Sequence, residues 1–264
     1  MFCDDTSISW KDKNVTKLSS IISDDLKLVK QWCDANRLVF NTGKTKVLQF
    51  NCDLDNLYLN NITINTSEAT KFLGVLVDKQ LRFEDHILEL GKKLFSGCFA
   101  VRMVGQQMAR IVYFALIESH LRYGIPFWGS SSQYLQNMIF VLQKKAIRFI
   151  ANVDQRTSCK PFFINLQILT LPCLYILKTA SLIFKNKPSS SKSYQPARVT
   201  RQNNNLPLPI PTRETIRRSI IYGGIKIFNH LPNSIKLAST PIQFRKNLKK
   251  FLLPKAYNSL NEFF

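Results

Sequence analysis

Two adjacent carboxylates, Asp4 and Asp5, stand directly behind Phe2 and Cys3. Hard divalent cations take carboxylate oxygens, so such a pair at the bend of a short hairpin can hold a metal. Taken alone, an Asp-Asp pair reads more commonly as a solvated turn. The other reactive side chains do not gather along the chain. His86, His120 and His230 are far apart, and the six cysteines (Cys3, Cys33, Cys52, Cys98, Cys159, Cys173) include no Cys-x-x-Cys, which argues against a zinc ribbon and a small disulfide scaffold. Ser130-Ser131-Ser132 lacks a Gly-x-Ser-x-Gly context, and no glycine-rich phosphate loop occurs. Scattered thiols and the lack of a basic-then-apolar leader predict an intracellular protein, nuclear or cytoplasmic and not secreted.

The charge is distributed unevenly. The 264 residues carry 37 Lys and Arg against 17 Asp and Glu, a formal charge of +20. Residues 1–90 hold 11 basic and 13 acidic side chains, residues 91–186 hold 12 and 2, and residues 187–264 hold 14 and 2. The excess therefore starts after the segment with the acidic pair. A basic region of this size points to a polyanion, most often nucleic acid. The most apolar stretch, 166–184, contains Pro172 and Lys178, so it reads as a buried helix pair and predicts no membrane association.

These side chains need elements to position them. Ser7-Ile8-Ser9-Trp10 alternates polar and apolar residues, which predicts a strand over 1–10. Val15, Leu18, Ile22, Leu26, Val29 and Trp32 recur at helical spacing, with Asp24, Asp25 and Lys27 on the polar face and Asp12 grouped with them. A turn at Asn41-Thr42-Gly43 leads to a strand over 44–50. Leu57-Tyr58-Leu59 and Ile62-Thr63-Ile64 predict a hairpin around Asn60-Asn61, because Asn tolerates the positive φ of such a turn. Residues 70–77 form another short apolar strand. From Glu84 the period becomes helical. One stripe is Ile87, Leu90, Leu94, Cys98 and Val101; a second is Met108, Ile111, Val112, Ala115, Leu116 and Ser119; a third is Leu135, Met138, Ile139, Leu142, Ala146 and Phe149. Residues 187–212, rich in Pro, Ser and Asn, read as a linker or extended arm. Ile216, Ile220, Ile227 and Leu231 predict a helix interrupted or bent near Gly223-Gly224, and Phe244, Leu248, Phe251 and Leu252 a short final helix among basic residues.

Four features stand in a recognisable order. Phe2-Cys3-Asp4-Asp5 resembles the aromatic-x-Asp-Asp motif of reverse transcriptases. The helix ending at Trp32, followed by Asn41-Thr42-Gly43-Lys44-Thr45, is similar to the next palm motif of that family. Phe72-Leu73-Gly74-Val75 resembles its primer-grip hairpin. Residues 121–129 and 222–232 resemble segments downstream of the polymerase in non-LTR retrotransposons of the jockey type.

The resemblance implies an RNA-directed DNA polymerase, α+β and mostly α. It comprises a partial palm of short antiparallel strands plus one helix with the primer-grip hairpin (1–82), a helical thumb or connection (83–186), the linker (187–212) and a basic helical C-terminal region (213–264). It further implies Mg2+ as cofactor, with RNA template, DNA primer and dNTP as partners. By match, Asp4 and Asp5 are the metal ligands and Lys44 stabilises charge on, or gives a proton to, the leaving pyrophosphate. Phe72, Leu73 and Gly74 would position the primer. Arg102, Arg110, Lys144, Lys145 and Arg148 are expected to line a thumb face that tracks phosphates. The family uses a further carboxylate from an earlier strand, which has no counterpart among these residues. The chain therefore reads as a C-terminal fragment expected to be inactive alone. The alternative is a non-catalytic, basic nucleic-acid-binding remnant of such an element.

Overall fold

The computed structural model describes residues 6–50, 52, 57–59, 62–64, 66–186, 205–211 and 213–264. The chain divides into two compact units, Met1–Leu81 and Arg82–Phe264. The described residues are mostly helical, with two small antiparallel sheets, an α+β fold dominated by α.

The first unit is built on α1 (Val15–Ala35). The Asn14 side chain caps it by accepting from the Thr16 and Lys17 amides at 3.0 and 3.2 Å, which satisfies donors that a helix start leaves unpaired. Leu18, Ile22 and Leu26 bury one face against Ile64, with Trp10, Phe40 and Val47 packed around them. Val15 and Trp32, predicted on the same stripe, are exposed because the buried seam runs only from Leu18 to Leu26. The polar face also differs from expectation. Asp25 is half-buried and accepts from the Trp10 indole N–H at 2.6 Å. Asp12 precedes the helix and accepts from the Asn14 amide, which holds its carboxyl below the usual range.

β1 (Leu57–Leu59) pairs antiparallel with β2 (Ile62–Ile64), Leu59 opposite Ile62, as the alternation predicts. The single strand expected over 70–77 is instead a hairpin. β3 (Ala69–Phe72) and β4 (Val75–Asp78) join through Leu73 and Gly74, with φ of 46° and 82°. Two successive positive φ values are what a two-residue hairpin loop needs to match strand twist, and glycine supplies the second without strain. Residues 6–10 form no strand, and of 44–50 only Val47 makes an isolated parallel bridge, to Thr66. Alternation marks a surface that suits a strand; without a ladder partner the strand does not form.

The second unit begins with α2 (Glu84–Met103), which buries the first predicted stripe entirely. A continuous helical path follows: α3 (Gln106–Val112), a π turn (Tyr113–Glu118) and α4 (Ser119–Arg122). Here the predicted second stripe is wrong. Met108, Ile111, Ala115, Leu116 and Ser119 face outward, and Ala109, Tyr113, Ile117 and Leu121 are buried. A spacing of four drifts round an α-helix of 3.6 residues per turn; the wider i→i+5 turn absorbs that drift and keeps the four aligned.

α5 (Ile125–Trp128) sits after Gly124, whose φ is 61°. Trp128 is fully buried and donates to the Tyr123 carbonyl at 2.9 Å. α6 (Gln133–Ala151) buries Leu135, Ile139 and Ala146 as predicted, and also Phe140, Gln143, Ile147 and Ile150, so it is packed on two sides. After α7 (Lys160–Asn165) comes α8 (Leu171–Lys185), buried on nearly all faces. The apolar stretch is thus one central helix with Pro172 in its first turn, where the missing N–H costs nothing. No described helix is long and apolar enough to cross a membrane.

α9 (Glu214–Arg217), α10 (Ile220–His230), α11 (Asn233–Lys236) and α12 (Pro241–Leu252) complete the unit. α10 and α12 pack on α8. α10 runs unbroken through Gly223-Gly224, so the predicted interruption is displaced from the glycines. The break lies at Arg218-Ser219, and Ser219 caps α10 through the Tyr222 amide. Gly224 instead permits close approach: a Cβ there would meet Ile183 Cγ1 at 2.6 Å and Thr179 Cγ2 at 3.0 Å. Most of the predicted linker, 187–204 and 212, lies outside the described residues.

Candidate nucleic-acid interface

Asp4 and Asp5 lie outside the described residues. Lys44 does not. The Asn41 side chain accepts from the Lys44 amide at 3.0 Å, and its carbonyl accepts from the Thr45 hydroxyl at 2.7 Å and amide at 3.1 Å. Asn41 and Thr45 therefore shape the turn, and Lys44 is held exposed upon it. Phe72 is 45% exposed beside the Leu73-Gly74 tip, so the proposed primer grip presents a ring at the end of a tight hairpin.

In the second unit the five predicted cations fall into separate groups. Lys145 lies with its ammonium 5.2 Å from the Phe95 ring centre and 6.0 Å from that of Phe149, and Arg102 lies 5.9 Å from Phe149. These two share the seam between α2 and α6. Lys144 and Arg148, one turn apart on α6, face elsewhere. Lys144 stands over Phe140 at 4.6 Å, and Arg148 donates from Nε to the Thr157 carbonyl at 3.0 Å. Both lower the electrostatic cost of a thiolate at Cys159, yet burial dominates and raises that thiol. Arg110 donates to the Leu166 carbonyl at 3.2 Å and covers Phe114 at 5.2 Å. Cations resting on rings keep their charge available while their stems cover apolar surface.

Several polar groups that the sequence reading missed organise this unit. Gln143 is fully buried; its amide donates to the Tyr113 hydroxyl and the Leu169 carbonyl, both at 2.9 Å, and its oxygen accepts from the Leu171 amide at 2.8 Å. Burial raises Tyr113 far beyond the ordinary phenol range, so it stays a neutral hydroxyl. Glu118 is buried and pairs with Arg122 at 3.3 Å. Burial raises its carboxyl, opposed by Arg122, Lys249 and Lys178. Lys178 is lowered, first by burial and then by Arg122 and Arg245. Asn229 clasps Leu206 reciprocally at 2.8 Å in each direction, and Lys236 donates to the Asn229 carbonyl at 2.6 Å and to Asn205 at 2.9 Å. The only signal for this clasp was the 222–232 motif, which includes Asn229.

His86, His230 and Cys98 are taken up in packing. His86 is buried 6.4 Å from the Trp128 ring, and His230 stacks edgewise on Phe263. Cys98 donates to the Leu142 carbonyl, and burial pushes its thiol up to about 11. Among the described residues no group of three His, Cys, Asp or Glu is placed to hold a metal.

The resemblance read from the motifs is borne out by comparison with known proteins. The chain is similar to the RNA-directed DNA polymerase from mobile element jockey of Drosophila melanogaster, 24% identical over 160 residues, which is 57% of this chain and 18% of that polymerase. It is similar also to the probable RNA-directed DNA polymerases from transposon X-element (20% over 174 residues, 62% of this chain and 18% of that protein) and transposon BS (22% over 176 residues, 62% and 19%), both of Drosophila melanogaster. The chain thus spans less than a fifth of the length of these relatives. No family model matches it, and no solved structure matches it significantly.

Proposed function

We propose that this chain is the nucleic-acid-handling part of an RNA-directed DNA polymerase from a jockey-type mobile element. The similarity to jockey-type polymerases over about three fifths of the chain carries the reading. In it, residues 1–82 are a piece of the palm and 83–186 the thumb. Asp4 and Asp5 are assigned to Mg2+ by resemblance alone. Lys44, exposed on the Asn41 turn, is assigned to the pyrophosphate side of the reaction, and the Phe72-Leu73-Gly74 tip to the primer end. The basic second unit binds the backbone of the RNA template and DNA primer without regard to sequence, while dNTP belongs to the palm.

Salt-dependent binding tests this reading. Fluorescence anisotropy with an RNA–DNA hybrid should show affinity falling linearly in log–log form with salt, and Lys145→Ala and Arg102→Ala should each reduce that slope by about one. An unchanged slope in both variants removes these residues from the interface; no binding at low salt removes the reading. The 264-residue chain is further proposed not to polymerise by itself, because two adjacent carboxylates do not clamp two metals in the geometry an in-line displacement needs. Templated incorporation abolished by Asp4→Ala would refute that.

A further inference from the structure

We propose that the seam between α2 and α6 is a stacking platform for single-stranded nucleic acid, with Phe95 and Phe99 taking bases and Lys145 and Arg102 taking phosphates. The proposal rests on the nucleic-acid reading above and goes beyond backbone tracking.

The two helices run parallel here. Gly91 faces Met138 and Ile139, Cys98 bonds the Leu142 carbonyl, and Arg102 reaches Phe149. Along the seam rings and cations alternate: Phe95, Lys145, Phe149, Arg102, at 5.2, 6.0 and 5.9 Å in turn. Phe95 to Arg102 covers about 10 Å of helix at 1.5 Å per residue. Phe99 stands one turn beyond Phe95 on the same face, with Lys92 one turn before it. The two phenylalanines are 59% and 62% exposed. Both lie outside the buried stripe that anchors α2, Phe95 at its α6 edge under Lys145 and Phe99 one turn on.

Charge chooses the occupant. Residues 91–153 hold eight basic side chains and one acidic one, and that one, Glu118, is buried. A second copy of this face would bring like charges together, whereas a polyanion is drawn to it. A polyanion that also offers flat apolar surface at each unit is a nucleic acid with unpaired bases, because base pairing hides those faces in a duplex. Aromatic rings between cations are the usual means of holding such strands without sequence preference.

The test compares three probes by fluorescence anisotropy on the whole chain: an oligo-U RNA about 12 nucleotides long, an abasic strand of the same length, and a blunt duplex. Phe95→Ala and Phe99→Ala should each weaken oligo-U binding about tenfold and leave the abasic strand unchanged. Lys145→Ala should weaken both. Phe99→Trp should retain binding and show indole quenching by oligo-U, a readout that misfolding does not mimic. Equal losses on abasic and base-bearing strands, or no loss on either, overturn the platform while leaving the backbone reading intact. No binding of any probe by the unsubstituted chain overturns both. Dimerisation, or binding to anionic vesicles, that requires Phe95 and Phe99 while oligo-U binding does not would assign the face to another partner and overturn the proposal.

Discussion

The two units of this chain use the same kinds of residue to different ends. Among the described residues of Met1–Leu81 one amphipathic helix buries three aliphatic side chains against a hairpin residue, and the segments around it contribute turns, an isolated bridge and two short hairpins. In Arg82–Phe264 a helix buried on nearly every face, α8, is wrapped by others, and Gln143 and Lys236 tie neighbouring segments through buried or half-buried hydrogen bonds. The first unit presents Lys44 on a turn and Phe72 beside a hairpin tip; the second holds its cations on rings and carbonyls. A thin core suffices to shape a turn such as Asn41–Thr45, whose hydrogen bonds are local. A cationic surface must be laid on a rigid frame, because side chains that repel one another need fixed backbones to stay close.

That contrast can be broken in graded steps. Phe244 is fully buried, with its ring 4.3 Å from that of Phe184 and 6.1 Å from that of Phe228. Phe244→Ala should cost about 4 kcal/mol by denaturant titration, yet leave α8 protected in hydrogen exchange. Loss of α8 protection would show that the second unit is as marginal as the first. Ile22→Ala should cost about 3 kcal/mol. In so small a core this should abolish amide protection throughout α1; retained protection would contradict the thin-core description. Gln143→Leu strands the Leu171 amide, the Leu169 carbonyl and the Tyr113 hydroxyl at once, and about 2 kcal/mol should be lost. Asn14→Ala should cost about 1 kcal/mol, visible as faster exchange in the first turn of α1.

The smallest effect concerns pH. Glu118 is raised in the folded chain, so its stabilising contribution is complete below the unfolded carboxyl value of 4.5 and is lost as pH rises through the folded one. Glu118→Gln should therefore gain in melting temperature relative to the unsubstituted chain as pH is raised from acidic to neutral. A constant difference across that range would show that the Arg122 pairing cancels the cost of burial.

Legibility followed locality. The stripe Ile87 to Val101 became the buried face of α2 because helical periodicity is a property of neighbouring residues. The pairing of Leu59 with Ile62 was readable because a two-residue turn fixes its own register. Of the strand predicted over 1–10, the described residues 6–10 form none, because pairing depends on a partner distant in sequence. The stripe from Met108 failed because the π turn is held by tertiary packing; Gly97 and Ile117 approach so closely that a Cβ on the glycine would lie 2.7 Å from Ile117 Cδ1. Gly223-Gly224 read as the point where a helix is interrupted or bent, and Gly224 is a contact with α8, since composition does not distinguish a glycine kept for its torsions from one kept for its size.

The candidate site divides the same way. The sequence alone determined the residue types and their order: the acidic pair at Asp4-Asp5, the Asn41 to Thr45 turn, the Phe72-Leu73-Gly74 tip and the basic excess after residue 90. It also determined the amphipathic helices and the resemblance that joins these features. Only the tertiary structure decided which cations stand together, placing Lys145 and Arg102 on one seam with Phe95 and Phe149 and sending Lys144 and Arg148 to another face. A helix face is set by its own sequence, but which faces of two helices adjoin is set by how their ridges pack, and no local pattern records that choice.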